Sequence, residues 1–225
     1  MGLGSLAAGL QHEIKNPLSA LSLHIQLLHE RLAQELPQPD VLEMLDILHT
    51  EVNRISNVLD GFRNYTSVTQ LGRSPVLIPR LIEKLVRLLR PRAEAQHITL
   101  VINLPQQPAG SVLADSGQLE QVILNLALNA VAAMPAGGIL TRTVDTRDDS
   151  VRIVVADTGH GIPTEVHSQI FDPYFTTRNE STGMGLALCD KIIRQHGGSI
   201  DFRTGENYEG LPGTEFTVLL PLDET

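Results

Sequence analysis

The chain has 225 residues, 42% hydrophobic and 4% aromatic with no Trp, which allows one or two globular domains with a mainly aliphatic core. A formal net charge of -9 argues against a nucleic-acid surface, though not against a nucleotide cradled locally by backbone amides. The single Cys excludes an internal disulfide and fits a reducing compartment. No apolar run approaches the roughly 18 residues of a spanning helix, and Gln11, His12, Glu13 and Lys15 interrupt any signal-peptide core. A cytoplasmic chain without membrane contact is therefore expected, with any sensing or membrane domain outside these residues.

Residues 2–35 read as one amphipathic helix. Leu10, Ile14, Leu18, Leu21, Ile25, Leu28 and Leu32 recur at three- and four-residue steps, a coiled-coil-like stripe. His12 falls off that stripe and should face water or a partner, with Asn16 one turn further along the same face. Pro17 has no amide hydrogen for the carbonyl of Glu13, so the helix should bend there. Pro37 and Pro39 end it, and Asp40 is a candidate N-cap for a second helix carrying Val41, Leu45, Leu48, Val52, Ile55, Leu59 and Phe62 as a heptad seam. Two such helices joined by a short turn make an antiparallel hairpin, and a stripe this long on both requires a second copy to form a four-helix bundle. A plain dimerisation coiled coil would account for the seam, but not for the polar cluster around His12.

Residues 1–66 thus form a helical hairpin domain, 67–75 a polar linker with Gly72 and Pro75, and 76–225 a second domain. In the second domain Val76–Ile78 reads as a short strand, and Pro79 suits the first turn of a helix to about Ala95. Strands follow at Ile98–Leu104 and Ser111–Leu113. Asp115 or Ser116 caps a helix through Met134, ended by Pro135 and Gly137-Gly138. Two strands near Ile139–Asp145 and Val151–Ala156 flank a polar turn, and Asp157 to Thr182 carries few regular signals. Gly183 opens a helix ending at His196-Gly197-Gly198, and Ser199–Arg203 and Thr214–Leu220 are the last strands. The order predicts an α+β chain: a helical hairpin, then an α/β sandwich with a mixed sheet and helices on one face.

Several polar residues invite a chemical reading. Asn125 and Asn129 stand one turn apart on an otherwise apolar helix. Such amides either cap internally or offer oxygen to a hard cation such as Mg²⁺. Asp157-Thr158-Gly159-His160-Gly161 follows a strand; it is either an ordinary turn or a close backbone approach to a flat ligand, with the acid accepting from an exocyclic amine. Thr182-Gly183-Met184-Gly185-Leu186 puts glycines at a helix N-terminus, which favours phosphate, although neither a Walker loop nor a dinucleotide fingerprint is present. Between them, Ile170 to Arg178 holds the main aromatic cluster, either a hinged lid with Arg178 near phosphate or a packed loop. His24, His29 and His49 lack metal spacing and should be exposed helix positions, His160 reads as loop, and Cys189 as a small core residue.

Taken together and in this order, the segments resemble the catalytic core of sensor histidine kinases, in detail most like the nitrogen-regulation type. His12-Glu13-Ile14-Lys15-Asn16-Pro17-Leu18 resembles the phosphoacceptor box, Asn125 to Asn129 the N box and Asp157 to Gly161 the first glycine box. Phe171 to Phe175 resembles the F box, Gly183 and Gly185 the second glycine box, and Gly213-Thr214-Glu215-Phe216 the final one. The resemblance implies ATP and Mg²⁺ as cofactors, with His12 as phosphorylated nucleophile and Glu13 accepting its proton or fixing its tautomer. It implies Asn129 as metal ligand with Asn125 close by, and Asp157 on the adenine amine. Gly159, Gly161, Gly183, Met184, Gly185, Leu186 and Thr214 would shape the nucleotide cleft, with Phe175, Thr176 and Arg178 in the lid. It further implies a homodimer, transfer to an aspartate of a response-regulator receiver domain, and, through Asn16, a phosphatase that strips that aspartyl phosphate. Two departures stand out. Ala132 occupies a position where many members carry Lys, and the lid is poor in cations apart from Arg178.

Two rivals remain at this point. An ATP hydrolase of the wider gyrase and Hsp90 superfamily would use a Glu one turn before the metal-binding Asn; here that residue is Asn125, which cannot act as a base. An inactive dimerisation scaffold predicts loss of His12, Glu13, Asn129 or Asp157, and all are present.

Overall fold

The structure is a computed structural model that describes residues 18–30, 32, 39–66, 71–105, 110–147, 149–178, 181–206 and 212–223. His12, Glu13, Asn16 and the Pro17 bend lie outside them. Contacts divide the chain into two units, residues 1–69 with 172–185, and residues 70–171 with 186–225.

In the first unit, helix α1 covers residues 18–30 and α2 runs Pro39–Thr66, so Asp40 lies inside the first turn of α2 rather than before it. Ile25 of α1 is buried with Leu45 and Val52 of α2, and Leu18, Leu32 and Val41 pack partly buried against them. These are stripe positions read from the sequence. Flanking leucines stay open: Leu21 is 48% exposed, Leu28 49%, Leu48 48% and Ile55 46%. His24 is exposed, while His29 is half-buried 3.5 Å from the Asp46 carboxylate.

The second unit begins with β1 (Ser74–Val76), paired antiparallel with β3 (Val112–Ala114) as a two-stranded sheet. The expected strand at Val76–Ile78 shifts toward the N-terminus because Ile78 is already the first residue of α3 (Ile78–Ala95), fully buried there, with Pro79 in the first turn. The main sheet has the order β2-β4-β5-β7-β6. Its strands are β2 (Ile98–Asn103), β4 (Gly138–Arg147), β5 (Ser150–Asp157), β6 (Ser199–Glu206) and β7 (Pro212–Pro221). Only β2 and β4 run parallel, so the sheet is mixed, as expected.

Helix α4 (Ser116–Ala133) starts where Asp115 accepts a hydrogen bond from the Gln118 N–H, which settles the two candidate caps in favour of Asp115. Helices α3 and α4 pack on each other and on β2, β4 and β5. Helix α5 (Gly185–Gln195) buries Ala187, Leu188, Cys189, Ile192 and Ile193. The other sheet face is polar. There Arg152 makes a forked ion pair with Asp145 across the β4–β5 hairpin, and its hydrogen bonds hold the Asp145 carboxyl below the usual range.

One residue breaks the apolar pattern. On β4 the buried positions are Leu140, Arg142 and Val144. Arg142 is fully buried, and its Nε, Nη1 and Nη2 have no hydrogen-bond partner among the described residues. Burial lowers its pKa to about 10. At neutral pH the side chain therefore stays charged in the fold at a cost on the order of 3 kcal/mol relative to water. The folded value lies below the unfolded one, so this cost is constant at neutral pH and is relieved only as pH rises above about 10. Replacing Arg142 by Met removes the uncompensated charge and keeps the aliphatic bulk. Arg142→Met should therefore raise the unfolding free energy of this unit by about 2 kcal/mol, read as a higher urea midpoint with unchanged slope.

Candidate functional site

The end of β5 and the turn after it are held by one carboxylate. Asp157 is buried, and its Oδ1 accepts the Gly159 N–H at 2.8 Å and the Thr214 N–H at 3.3 Å. The first bond closes the glycine turn onto the acid that precedes it. The second ties the turn to β7, where Asp157 and Thr214 are register partners. Gly213 lies so close to the Asp157 carbonyl that a Cβ there would overlap the oxygen. The sequence grouped Asp157, Gly159, Gly161 and Thr214 by motif alone; here they form one connected corner of the sheet.

Other residues of that corner carried no sequence signal. Thr158 Oγ1 accepts the Ile139 N–H at 3.0 Å, pinning the turn to the start of β4. Thr204 Oγ1 accepts the Ile162 N–H at 2.8 Å and donates to the Gly213 carbonyl at 3.1 Å. Each is a lone threonine in a strand or turn, and only the pairing of distant strands gives it a role. His160 is exposed, with Nδ1 donating to the Gly161 carbonyl at 2.7 Å, a loop residue as expected.

On α4, Asn125 and Asn129 are half-buried among Val122, Ile123, Leu126, Ala127 and Ala130 of the core, and Ala132 is exposed. Both amides are engaged. Asn125 hydrogen-bonds the side chain of Cys189 on α5, whose Sγ also donates to the Val122 carbonyl at 3.7 Å. Cys189 is thus a core residue that also touches the amide pair. Among the described residues, no group of three or more His, Cys, Asp or Glu is placed to hold a metal ion. A hard cation at Asn129 would have to complete its shell from phosphate oxygens and water, which suits Mg²⁺.

Residues 172–178 and 181–185 are tied to each other by local contacts. The Phe175 N–H donates to the Asp172 carbonyl at 3.2 Å, and the Arg178 N–H to Thr176 Oγ1 at 3.0 Å, while Thr176 and Ser181 share a short hydroxyl contact. Gly183 has φ +66 and sits against the backbone of Tyr174 and Phe175, closer than a Cβ allows, which explains a glycine there. Phe175, Thr176, Arg178 and Gly183 are therefore brought together. Met184 is buried, and Gly185 and Leu186 are half-buried in the first turn of α5. The expected aromatic cluster around Phe171 to Phe175 divides differently. The Phe171 ring packs edge-on to Phe202 and Phe216 at centroid distances of 6.1 and 6.5 Å, and His167 packs on Phe202 at 5.1 Å. Tyr174 is exposed.

Residues 114–224 match the family model of the histidine kinase-, DNA gyrase B- and HSP90-like ATPases, and residues 3–71 that of the His Kinase A (phospho-acceptor) domain. The chain is 34% identical over 226 residues to sensor histidine kinase ZraS of Escherichia coli (strain K12), covering 100% of this chain and 47% of that protein. It superposes on full-length ShkA in complex with AMPPNP with TM-score 0.74 at 27% identity, covering 98% of this chain and 46% of that one. With histidine kinase ThkA in complex with the response regulator protein TrrA the TM-score is 0.70 at 28% identity, over 98% of this chain and 62% of that one. The chain spans about half the length of the curated relatives it matches.

The Cys189 geometry has a direct chemical consequence. Burial pushes its thiol up to about 12, with the Asn125 hydrogen bond acting the other way and the Asp190 charge adding to the rise. The reactive thiolate is therefore essentially absent near neutral pH. At about pH 8 the native chain should react with iodoacetamide at least about 100-fold more slowly than the urea-unfolded chain, followed by mass spectrometry.

Proposed function

The chain belongs to the sensor histidine kinase family, carrying its phosphoacceptor and ATPase modules in one sequence, and from that premise we propose that it phosphorylates His12 from ATP and passes the group to an aspartate of a response-regulator receiver domain. The observation that carries this reading is the pairing of the two modules, with His12 inside the first and Asn129 and Asp157 inside the second. The kinship with a kinase recorded in complex with its response regulator supports the second step.

In this reading a neutral His12 imidazole nitrogen attacks the γ-phosphorus. A P–N bond forms as the bond to the bridging oxygen of ADP breaks, and Glu13 receives the imidazole proton or selects the free nitrogen. Asp157 accepts from the adenine amine, with Gly159, Gly161 and Thr214 forming its surroundings. Gly183, Met184, Gly185 and Leu186 offer amides at the start of α5 to the phosphates, and Phe175, Thr176 and Arg178 belong to a lid. Asn129, with Asn125 beside it, would hold Mg²⁺, which neutralises phosphate charge when bound. In the phosphatase activity Asn16 orients a water that attacks the aspartyl phosphate of the receiver domain, releasing inorganic phosphate and the free carboxylate. The scaffold is read as residues 1–66, 67–75 and 76–225 for hairpin, linker and ATP-binding domain. No helix of the described residues is long and apolar enough to cross a membrane, in keeping with a cytoplasmic location.

The hairpin works as a homodimer in this proposal. Leu21 and Leu28 flank the buried Ile25 on α1, as Leu48 and Ile55 flank Val52 on α2, and all four remain open in one copy. Leu21→Glu with Leu28→Glu should convert the dimer to monomer in sedimentation at micromolar concentration and lower hairpin helicity in far-UV circular dichroism. The kinase step is tested with γ-labelled ATP and Mg²⁺. The wild-type chain should acquire an acid-labile, base-stable label that His12→Gln lacks. Rapid phosphate release without labelling would instead favour a hydrolase, and dimerisation with neither outcome a scaffold.

A further inference from the structure

The C-terminus of α5 meets the N-terminus of α4 at a single buried imidazole. His196 is 5% exposed. Its backbone N–H closes α5 onto the carbonyls of Ile192 and Ile193, and its Nδ1 lies 2.8 Å from the Ile192 carbonyl. A carbonyl only accepts, so Nδ1 carries the proton. Nε2 then has a lone pair, and it accepts the Asp115 N–H at 3.0 Å. Asp115 is the N-cap of α4: its carbonyl accepts the Leu119 N–H and its Oδ1 the Gln118 N–H. The side chain that terminates α5 therefore holds the residue that starts α4. The two helices also meet further along, where Cys189 touches Val122 and Asn125.

The segment leading in from the linker is tied to the same junction. The Gly72 N–H donates to Asp115 Oδ2 at 3.2 Å, and Arg73 Nη2 donates to the Gln195 carbonyl at 2.7 Å, with β1 pairing to β3 immediately afterwards. This places a cation on the last carbonyls of α5 and an anion on the first amides of α4, both favourable to the helix dipoles. Cys189 reaches from α5 to α4 midway along the helices and His196 from the end of α5 to the start of α4, both from buried positions.

We propose that His196 is a positioning residue for nucleotide binding: in its neutral Nδ1–H form it fixes the start of α4 to the end of α5, and so holds the helix that carries Asn125 and Asn129 against the helix whose first turn carries Gly185 and Leu186. The assignment rests on the kinase reading above. Loss of the Nε2 acceptor leaves the half-buried Asp115 N–H without its partner and loosens α4 against α5. Ground-state and transition-state nucleotide are then both held less well, so the effect falls on KM rather than kcat.

The experiment uses the full chain and measures ATP KM and kcat for His12 labelling, together with thermal unfolding. His196→Leu, which keeps bulk and removes the acceptor, should raise KM for ATP about tenfold with kcat within about twofold. His196→Gln, whose amide oxygen can take the Asp115 N–H, should return KM to within about threefold of wild type. Asp115→Asn keeps one oxygen for the Gln118 cap and loses the one for Gly72; it should leave KM within about twofold, separating the helix contact from the linker tie. The wild-type chain supplies a readout independent of folding in the variants, because nitrogen-15 spectra at neutral pH should show His196 as the Nδ1–H tautomer. An unmoved KM in His196→Leu, a rise that His196→Gln does not reverse, or an Nε2–H or doubly protonated imidazole would each overturn the assignment. A wild-type chain that binds no ATP would overturn the kinase reading instead.

Discussion

The corner at Asp157 is the constraint on which the rest of the second unit depends. One carboxylate, taken almost wholly out of water, accepts backbone N–H groups from a turn two residues on and from a strand more than fifty residues away. Charge-assisted bonds of this kind are stronger than neutral ones and leave little freedom in where the chain can go. Gly213 must be bare to let β7 reach β5 there, and Thr158 and Thr204 extend the tie to β4 and β6. The sheet is thus closed at the end where its acid, its glycines and Thr214 meet. Those residues are oriented by the same bonds that hold the strands together, so the stability of the sheet and the geometry of the corner share one cause.

Helix α4 meets the complementary problem. It buries Leu119, Val122, Ile123, Leu126, Ala127 and Ala130 against the sheet and its neighbouring helices, yet carries two amides halfway into the core. An amide is the polar group that can sit there without a net charge, because unpaired buried charges cost far more than hydrogen-bonded neutral groups. The contact of Asn125 with Cys189 shows how one of them is satisfied. A side chain such as Asn125, with no titratable proton, cannot activate water as a base. Arg142 shows the opposite case. A cation two residues along β4 from Leu140 lacks any partner among the described residues, and the fold carries it only because the surrounding aliphatic packing is extensive.

What could be read from the sequence follows the range of the interactions involved. Periodicity and capping act over three or four residues, so the bounds of α3, α4 and α5 and the β4–β5 hairpin were legible. The Asp115 cap was one of two choices that only a hydrogen bond could decide. The glycine turn at Asp157 was recognisable as a motif, but its physical sense lay in Thr214 and Gly213, far along the chain. The aromatic residues show the limit plainly. Phe171 and Phe175 look alike in sequence, yet Phe171 stacks on Phe202 and Phe216 from two later strands. On β4 Arg142 shares its alternation with the buried Leu140 and Val144, so strand periodicity places it on the core face although its charge argues for the surface. His196 looks like a helix terminator until its second ring nitrogen is seen to serve another helix.

The helical unit obeys a different logic. Among the described residues one copy buries Ile25, Leu45 and Val52, while leucines on either side of them stay in water. At about 25 cal/mol per Å² of apolar surface, covering those open leucines with a second copy would add to that core. In the proposed homodimer, folding of the hairpin and its association with a second copy are coupled, set by chain concentration as well as by sequence. A histidine read from the stripe as pointing away from the seam gains from this arrangement. In the proposed dimer, association would cover the apolar stripe and leave the opposite face of the first helix open to other molecules. The packing demand that pairs two copies would then also select which side chains of that helix remain available for chemistry.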